Sequence, residues 1–364
     1  MIPIKRIIIL SIVCFFAMIF GSFYHIITTL IIFNLSYNKY EIVKLSFYFI
    51  LFVYIFMIIS LYSCPNFFNI LYYLFFLLMS FYINLFFSSL IFYFFYILNT
   101  NFSLIMNLFL YDFLGIFSTL IGIYYERNIF FDKIFIHIPN FNGKLTIAHL
   151  TDLHLGAVYG REFVKRIVEM LQKENDIDLI VITGDIVDGN RKMTKEMIEP
   201  FNLLSKPIYY VTGNHEDFSY KEEVIEIIEK SNIIHLKNES VKFKDKINII
   251  GIDYHPDFNN VKLLLTSLIP KNNLPNIFLF HVPIFNVKEL FNYNILLLLC
   301  GHTHGGQLFP MNIVQYLISP AFEGLYNFNN SNYIYCASGV GTSGPPIRTM
   351  SKAKIGILNL IGNN

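Results

Sequence analysis

The sequence contains no tryptophan, and its four cysteines lack the close spacing of a zinc site or a redox pair. No glycine-rich loop of the dinucleotide-binding or P-loop type opens a helix, so a nucleotide cofactor is not expected. The 27 basic and 26 acidic residues leave a net charge of +1. Because there is no basic excess or basic stripe, no nucleic-acid partner is expected either. The cysteines are expected to be small buried apolar residues.

Charge is scarce in the first third of the chain. Residues 1–125 carry only six charged side chains, which are Lys5, Arg6, Lys39, Glu41, Lys44 and Asp112. The remaining residues have the mixed charge of an ordinary soluble domain. The composition therefore predicts two domains, a transmembrane region at 1–125 and a soluble domain at 126–364.

Four apolar stretches in the first domain have the length of bilayer-spanning helices, about 20 residues. They are residues 7–33, 45–63, 67–97 and 102–124. The first is too long for a cleavable signal peptide and lacks a cleavage site. Four spans place both ends on one side, where Lys5, Arg6 and Arg127 favour the cytoplasm. We expect a multi-pass protein of the cell membrane with its second domain cytoplasmic.

Two ionisable residues, His25 and Asp112, lie inside these predicted spans. Ionisable groups within a membrane often mark transport pathways. Here hydrogen bonding between helices, or a side chain that reaches the interface, is the favoured interpretation. A transporter regulated by the second domain is therefore only a minor alternative.

From about residue 130 the pattern changes to short apolar strands and amphipathic helices. The segment "REFVKRIVEMLQKEN" has helical spacing of its apolar residues, whereas "DLIVITGD" and "PIYYVTGNHE" have the length and composition of buried strands. Strands first alternate with helices and then follow one another closely. This order predicts an α/β sandwich with mixed sheets rather than a doubly wound dinucleotide-binding fold.

Five successive predicted strands end in aspartate, histidine or asparagine. These residues are Asp152, His154, Asp185, Asn214, His215, His281, His302 and His304. Ligands of open α/β sheets bind beyond the carboxyl ends of the strands, so these side chains are expected to converge. Residues at i and i+2 of an extended segment project to the same side, which allows Asp152 and His154 to hold one cation.

The same residue types indicate the kind of metal. Imidazole, carboxylate and amide ligands together suit Mn, Fe or Zn better than Ca, which prefers oxygen ligands alone. His302 and His304 are placed to reach two neighbouring ions, and a carboxylate such as Asp185 can bridge them. Two such ions form the usual clamp for displacement at phosphorus.

The ordered set "DLH", "GD", "GNHE", "H" and "GHTH" resembles the calcineurin-like metallophosphoesterases over roughly residues 130–364. The extended "CGHTHGGQ" and "GVGTSGPPIR" resemble a bacterial, often membrane-associated branch that includes phosphodiesterases of the lipid A pathway. The resemblance implies a four-layer α/β/β/α sandwich. The second motif lacks the arginine of the related Ser/Thr protein phosphatases, which argues against a phosphoprotein substrate.

The resemblance also implies a role for each matching residue. The first of two divalent transition metal ions (Mn, Fe or Zn) is expected on Asp152, His154, Asp185 and His304. The second is expected on Asp185, Asn214, His281 and His302, with Asp185 bridging both. His215 matches the catalytic histidine that is not a ligand. Arg348 is a candidate for binding substrate phosphate, because guanidinium pairs with phosphate oxygens.

The sequence thus predicts a membrane-anchored dimetal phosphohydrolase acting on a phosphodiester or diphosphate. A phosphorylated lipid, such as a UDP-diacylglucosamine-type molecule, is the favoured substrate because the predicted spans would keep the site near the bilayer. Two alternatives stay open. One is a phosphodiesterase for soluble small molecules such as cyclic nucleotides, and the other is a non-catalytic membrane sensor or scaffold.

Overall fold

The computed structural model describes residues 104–362 except for positions 139–140, 142, 190–191, 219–220, 286–288, 290–291 and 329–331, and it describes five isolated positions between 77 and 84. The chain divides into two compact units. Met1–Tyr125 and Gly344–Thr349 form one, and Glu126–Ser343 and Met350–Asn364 form the other.

Helix α1 (Leu104–Arg127) overlaps the fourth predicted span and contains Asp112. The backbone N–H of Arg348 donates to the Gly122 carbonyl at 3.0 Å. A side chain at Gly122 would clash with Ile347, so the segment 344–349 lies directly against α1. His25 and the first two predicted spans lie outside the described residues, as does nearly all of the third. In the part of the chain that the structure describes, no helix has both the length and the apolar character needed to cross a bilayer.

The second unit is built on two six-stranded mixed sheets. The first sheet has the order β1-β12-β2-β3-β4-β5, and only β12 and β2 pair in antiparallel fashion. Its strands are β1 (Ile129–Ile138), β2 (Lys144–Leu150), β3 (Leu179–Thr183), β4 (Ile208–Val211), β5 (Ile233–His235) and β12 (Ala353–Gly362).

The second sheet has the order β10-β11-β9-β8-β7-β6, with antiparallel pairs at both edges. Its strands are β6 (Glu239–Phe243), β7 (Ile247–Gly251), β8 (Asn276–Leu279), β9 (Leu297–Cys300), β10 (Gly324–Phe328) and β11 (Asn332–Cys336). The described helices of this unit are α2 (Arg161–Lys173), α3 (Lys195–Ile198), α4 (Asn214–Phe218), α5 (Lys221–Glu229), α6 (Phe258–Leu268) and α7 (Met311–Ile318).

Three apolar clusters fill the spaces between four layers. The central cluster joins side chains of both sheets, such as Val181 and Leu297. An outer cluster packs α2 and α5 onto the first sheet, and another packs α6 onto the second. The expected α/β sandwich with mixed sheets is confirmed. Cys300 and Cys336 are free and buried, as expected for small apolar residues.

Candidate metal centre

The predicted ligands lie where strands of both sheets end. Asp152 and His154 follow β2, Asp185 follows β3, and Asn214 opens α4 after β4. His281 follows β8 in the second sheet, and His302 and His304 follow β9. Five of these residues have positive φ, a costly conformation for residues with side chains: Asp152, His154, Asp185, His302 and His304. Such strain persists only where surrounding contacts enforce it, and it concentrates at functional sites.

The first cluster contains Asp152, His154 and His304, all buried. The Nε2 atoms of the two histidines are 3.1 Å apart. The Oδ1 atom of Asp152 lies 3.3 Å from Nε2 of His304 and 3.8 Å from Nε2 of His154. Three ligand atoms of types suited to a transition metal therefore converge on one point.

The second cluster contains Asp185, His281 and His302. The Oδ2 atom of Asp185 is 3.2 Å from Nε2 of His281, and Oδ1 of Asn214 is 3.1 Å from the same nitrogen. The same Oδ2 lies 3.9 Å from Nε2 of His154 in the first cluster. Asp185 thus stands between the two clusters, in the position of a bridging ligand.

His215 lies beside both clusters without belonging to either. Its ring centroid is 4.6 Å from that of His154, and its Nε2 is 3.9 Å from Oδ2 of Asp185. The Nδ1–H group donates to the backbone carbonyl of Asp188 at 2.8 Å. This bond fixes the orientation of the ring and leaves Nε2 facing the metal ligands.

Glu216 connects the loops that carry Asp185 and Asn214. Its fully buried carboxylate accepts hydrogen bonds from the backbone N–H groups of Asp185, Gly213 and Val187. Gly213 is required here because a Cβ atom would lie 2.2 Å from Oδ1 of Asp185. Through these contacts Glu216 orients the two loops that carry predicted ligands.

Burial opposes charge throughout the site, but neighbouring groups overcome it at Asp152, His154 and Asp185. Burial lowers the pKa of His154, yet contacts with Asp152 and Asp188 raise it overall to about 10. Burial raises the pKa of Asp152 and Asp185, but the surrounding histidines hold both values below the ordinary range. The site therefore combines ionised carboxylates with a strong preference for positive charge.

At Glu216 and His302, in contrast, burial prevails. Burial, followed by the Asp185 carboxylate, raises the pKa of Glu216 to about 7. Burial, followed by the nearby His281, lowers the pKa of His302 to about 4. His302 is therefore neutral near pH 7, which is the form that binds a metal. Asp185 outweighs burial at His281 and raises its pKa to about 9, so a cation must displace a proton there.

The residues fit a pair of divalent cations. His281 donates Nδ1–H to the Thr183 carbonyl at 2.8 Å, which aims its Nε2 at Asp185 and Asn214. The Nδ1 atom of His154 lies 3.5 Å from the Asp188 carboxylate, which likewise leaves Nε2 for the cluster. Partners of this kind orient metal-binding histidines and set their tautomer.

Two further groups contact the predicted site residues. Asp188 lies against His154 and His215. The Thr183 carbonyl was not anticipated, because a backbone group carries no residue-specific pattern.

Arg348 is fully buried and belongs to the unit that contains α1. Its role in substrate binding stays a prediction.

Two adjoining Asp/His clusters lie at the strand ends of an α/β/β/α sandwich. This is the type of site that metal-dependent hydrolases use. The chain matches the sequence model of the calcineurin-like phosphoesterase family over residues 145–306, which include every predicted metal ligand. It is 31% identical over 233 residues to the uncharacterized metallophosphoesterase YkoQ of Bacillus subtilis, covering 58% of this chain and 82% of that protein. The chain therefore belongs to the calcineurin-like phosphoesterase family.

Two further relatives show how widely the domain occurs. An uncharacterized metallophosphoesterase of Helicobacter pylori is 32% identical over 242 residues, covering 63% of each chain. A protein of Bos taurus named transmembrane protein with metallophosphoesterase domain is 30% identical over 239 residues, covering 60% of this chain and 53% of that one. The chain thus spans less than two thirds of the length of either protein. The family uses divalent metal ions, in agreement with the Asp/His clusters.

Proposed function

We propose that the protein is a membrane-anchored dimetal phosphohydrolase that cleaves a phosphodiester or diphosphate bond. The position of Asp185 carries the proposal, because its Oδ2 atom lies within 4 Å of histidines from both clusters. When bound, two divalent cations would supply a hydroxide near neutral pH and offset charge on the phosphoryl oxygens. The ligands would be Asp152, His154, Asp185 and His304 for one ion, and Asp185, Asn214, His281 and His302 for the other.

We assign His215 a catalytic role at the leaving oxygen. Its side chain is 20% exposed, whereas those of His154 and His281 are fully buried. The bond to the Asp188 carbonyl holds the ring with Nε2 toward Asp185, where a phosphate would bind in this proposal. In this position it would stabilise charge on the leaving oxygen or protonate it.

A lipid-linked substrate, such as a UDP-diacylglucosamine-type diphosphate, agrees with the apolar first domain. Residues 1–125 carry only six charged side chains, and one relative is named a transmembrane protein. Four spans there would attach the enzyme to the cell membrane, with the catalytic domain in the cytoplasm. A panel of lipid diphosphates and soluble phosphodiesters, assayed with and without detergent, tests this assignment. Equal rates on both would favour the soluble-substrate phosphodiesterase instead.

Replacing Asp185 by Asn tests the catalytic proposal. We expect loss of hydrolysis of an aryl phosphodiester in the presence of Mn, because the bridging charge is removed while the shape is kept. Asp176→Asn is the matched control, since Asp176 is an exposed carboxylate before β3, at the opposite end from Asp185. Wild-type activity in Asp185→Asn would refute the bridging role. Bound metal without hydrolysis in the wild type would favour a sensor or scaffold.

A further inference from the structure

Helix α7 exposes its apolar residues more than its polar ones. Its sequence is MNIVQYLI, and it has no charged residue and no buried residue. Six large apolar side chains are between 41% and 74% exposed: Met311, Ile313, Val314, Tyr316, Leu317 and Ile318. The two polar residues, Asn312 and Gln315, are the less exposed ones. A surface helix of a soluble domain normally does the reverse, as α2 does by burying Val164 and Leu171.

This helix is joined tightly to the metal centre. The turn His304–Gly306 precedes it and contains a predicted metal ligand. A Cβ atom on Gly306 would lie 2.1 Å from Cα of Asn312, so the turn and the first part of α7 are in close contact. Whatever covers α7 will therefore lie close to the substrate.

The exposed surface is too small for a stable dimer of this chain. A helix of eight residues is about 12 Å long, whereas a stable interface buries about 800 Å² and 20–30 residues on each partner. A lipid surface has no such requirement. Short apolar segments insert into the boundary between headgroups and acyl chains, where tyrosine is especially favoured.

We propose that α7 inserts into the surface of a lipid bilayer and holds the metal centre at the level of the headgroups. The low charge of residues 1–125 supports a bilayer as the occupant, because it indicates that the chain is already at a membrane. The inference rests on the proposed membrane attachment, but not on the proposed hydrolysis. It gives the second domain its own lipid contact, separate from the predicted spans.

The absence of tryptophan provides a direct test, since one introduced indole is then the sole indole of the chain. The Tyr316→Trp protein is reconstituted at full length in phosphatidylcholine and phosphatidylglycerol vesicles, with or without brominated acyl chains. We expect emission at shorter wavelength and a loss of intensity with brominated lipid. Leu203→Trp is the control, because Leu203 is 66% exposed at the end of a 3-10 turn in the α2 layer. Its emission should resemble that of indole in water.

Two results would overturn the proposal. Emission of Tyr316→Trp that equals that of Leu203→Trp would show that α7 stays in water. Emission at shorter wavelength without quenching by brominated lipid would show that protein covers the helix. Hydrolysis of a soluble aryl phosphodiester is measured on the same samples. Quenching without hydrolysis would reject the proposed function alone, and hydrolysis without quenching would reject the lipid contact alone.

Discussion

Glu216 illustrates how a residue outside the predicted ligand set shapes the metal centre. Both oxygens of its carboxylate accept backbone N–H groups, from loops that carry Asp185 and precede Asn214. An amide can offer only one oxygen to these donors. We therefore expect Glu216→Gln to destabilise the domain by about 1–3 kcal/mol and to weaken metal binding by about 10–100-fold.

Urea unfolding and metal content per chain measure the two effects of Glu216→Gln. The control is Glu223→Gln, because Glu223 is a half-exposed carboxylate on α5 that pairs with Lys192. Unchanged metal content in Glu216→Gln would mean that the ligand loops keep their positions without the carboxylate.

Which site residues can be found from sequence depends on how each one acts. Asp152, His281 and the other predicted ligands act through side chains at the ends of apolar strands, so their positions follow from the pattern. The Thr183 carbonyl acts through the backbone, and its partner His281 lies 98 residues away in the chain. Contacts of that kind depend on how the two sheets pack against each other. Local sequence carries no information on this packing.

At the scale of secondary structure, the central strands were predictable, whereas three of the four edge strands were not. Strands such as β3 and β9 are completely buried, so they form unbroken apolar runs. The strands β5, β6 and β10 were not predicted, since β5 has only three residues and β6 is mixed in composition with one buried residue. Helix α6 was missed as well, although Asp257 caps its N-terminus by accepting from the Asn259 N–H.

The helical segment that begins at Lys195 changes form at its proline. It forms α3 as far as Ile198 and then continues as a 3-10 turn from Glu199 to Leu203, with Pro200 near the start. Proline lacks the N–H group that an α-helical interior needs, which accounts for the change at this residue.

A buried pair joins β5 to the end of β7. Nε2 of His235 lies 2.9 Å from Oδ1 of Asp253, which also accepts the Thr212 N–H two residues before Asn214. Burial raises the pKa of Asp253, but His235 and Thr212 lower it overall. The ionised carboxylate therefore stabilises the fold above its ordinary pKa, and this contribution is lost as the pH falls through the lowered value.

Replacing Asp253 by Ala should destabilise the protein by about 2–3 kcal/mol, because a buried imidazole and a backbone N–H lose their acceptor. The difference from wild type should shrink on acidification, since protonation removes the same stabilisation from the wild type. Urea unfolding at several pH values measures both. Asp176→Ala removes an exposed pair with Lys144 and should change stability little at any pH. A loss in Asp253→Ala no larger than in this control would contradict the role of the pair.

At the scale of the whole molecule, the metal centre joins the two sheets. Asp152 and Asp185 come from the first sheet, and His281, His302 and His304 come from the second. A cation bound by residues of both sheets therefore stabilises their packing as well as the site. Binding that is specific to the folded state adds about 2.7 kcal/mol of stability when the free ion is at 100 times its Kd.

We therefore expect Mn to raise the unfolding temperature of the EDTA-treated full-length protein, and renewed chelation to reverse the increase. Calorimetry or fluorescence of the native tyrosines follows the transition. Asp185→Asn should lose most of the increase because Asp185 lies between the clusters, while Asp176→Asn should keep it. An equal increase in Asp185→Asn would mean that Mn binds elsewhere on the chain. No increase in the wild type would mean that the clusters do not hold Mn, and Fe and Zn would then be tested in the same way. Since the ligands come from opposite sheets, the size of this thermal shift reports how much the bound metal stabilises the packing of one sheet against the other.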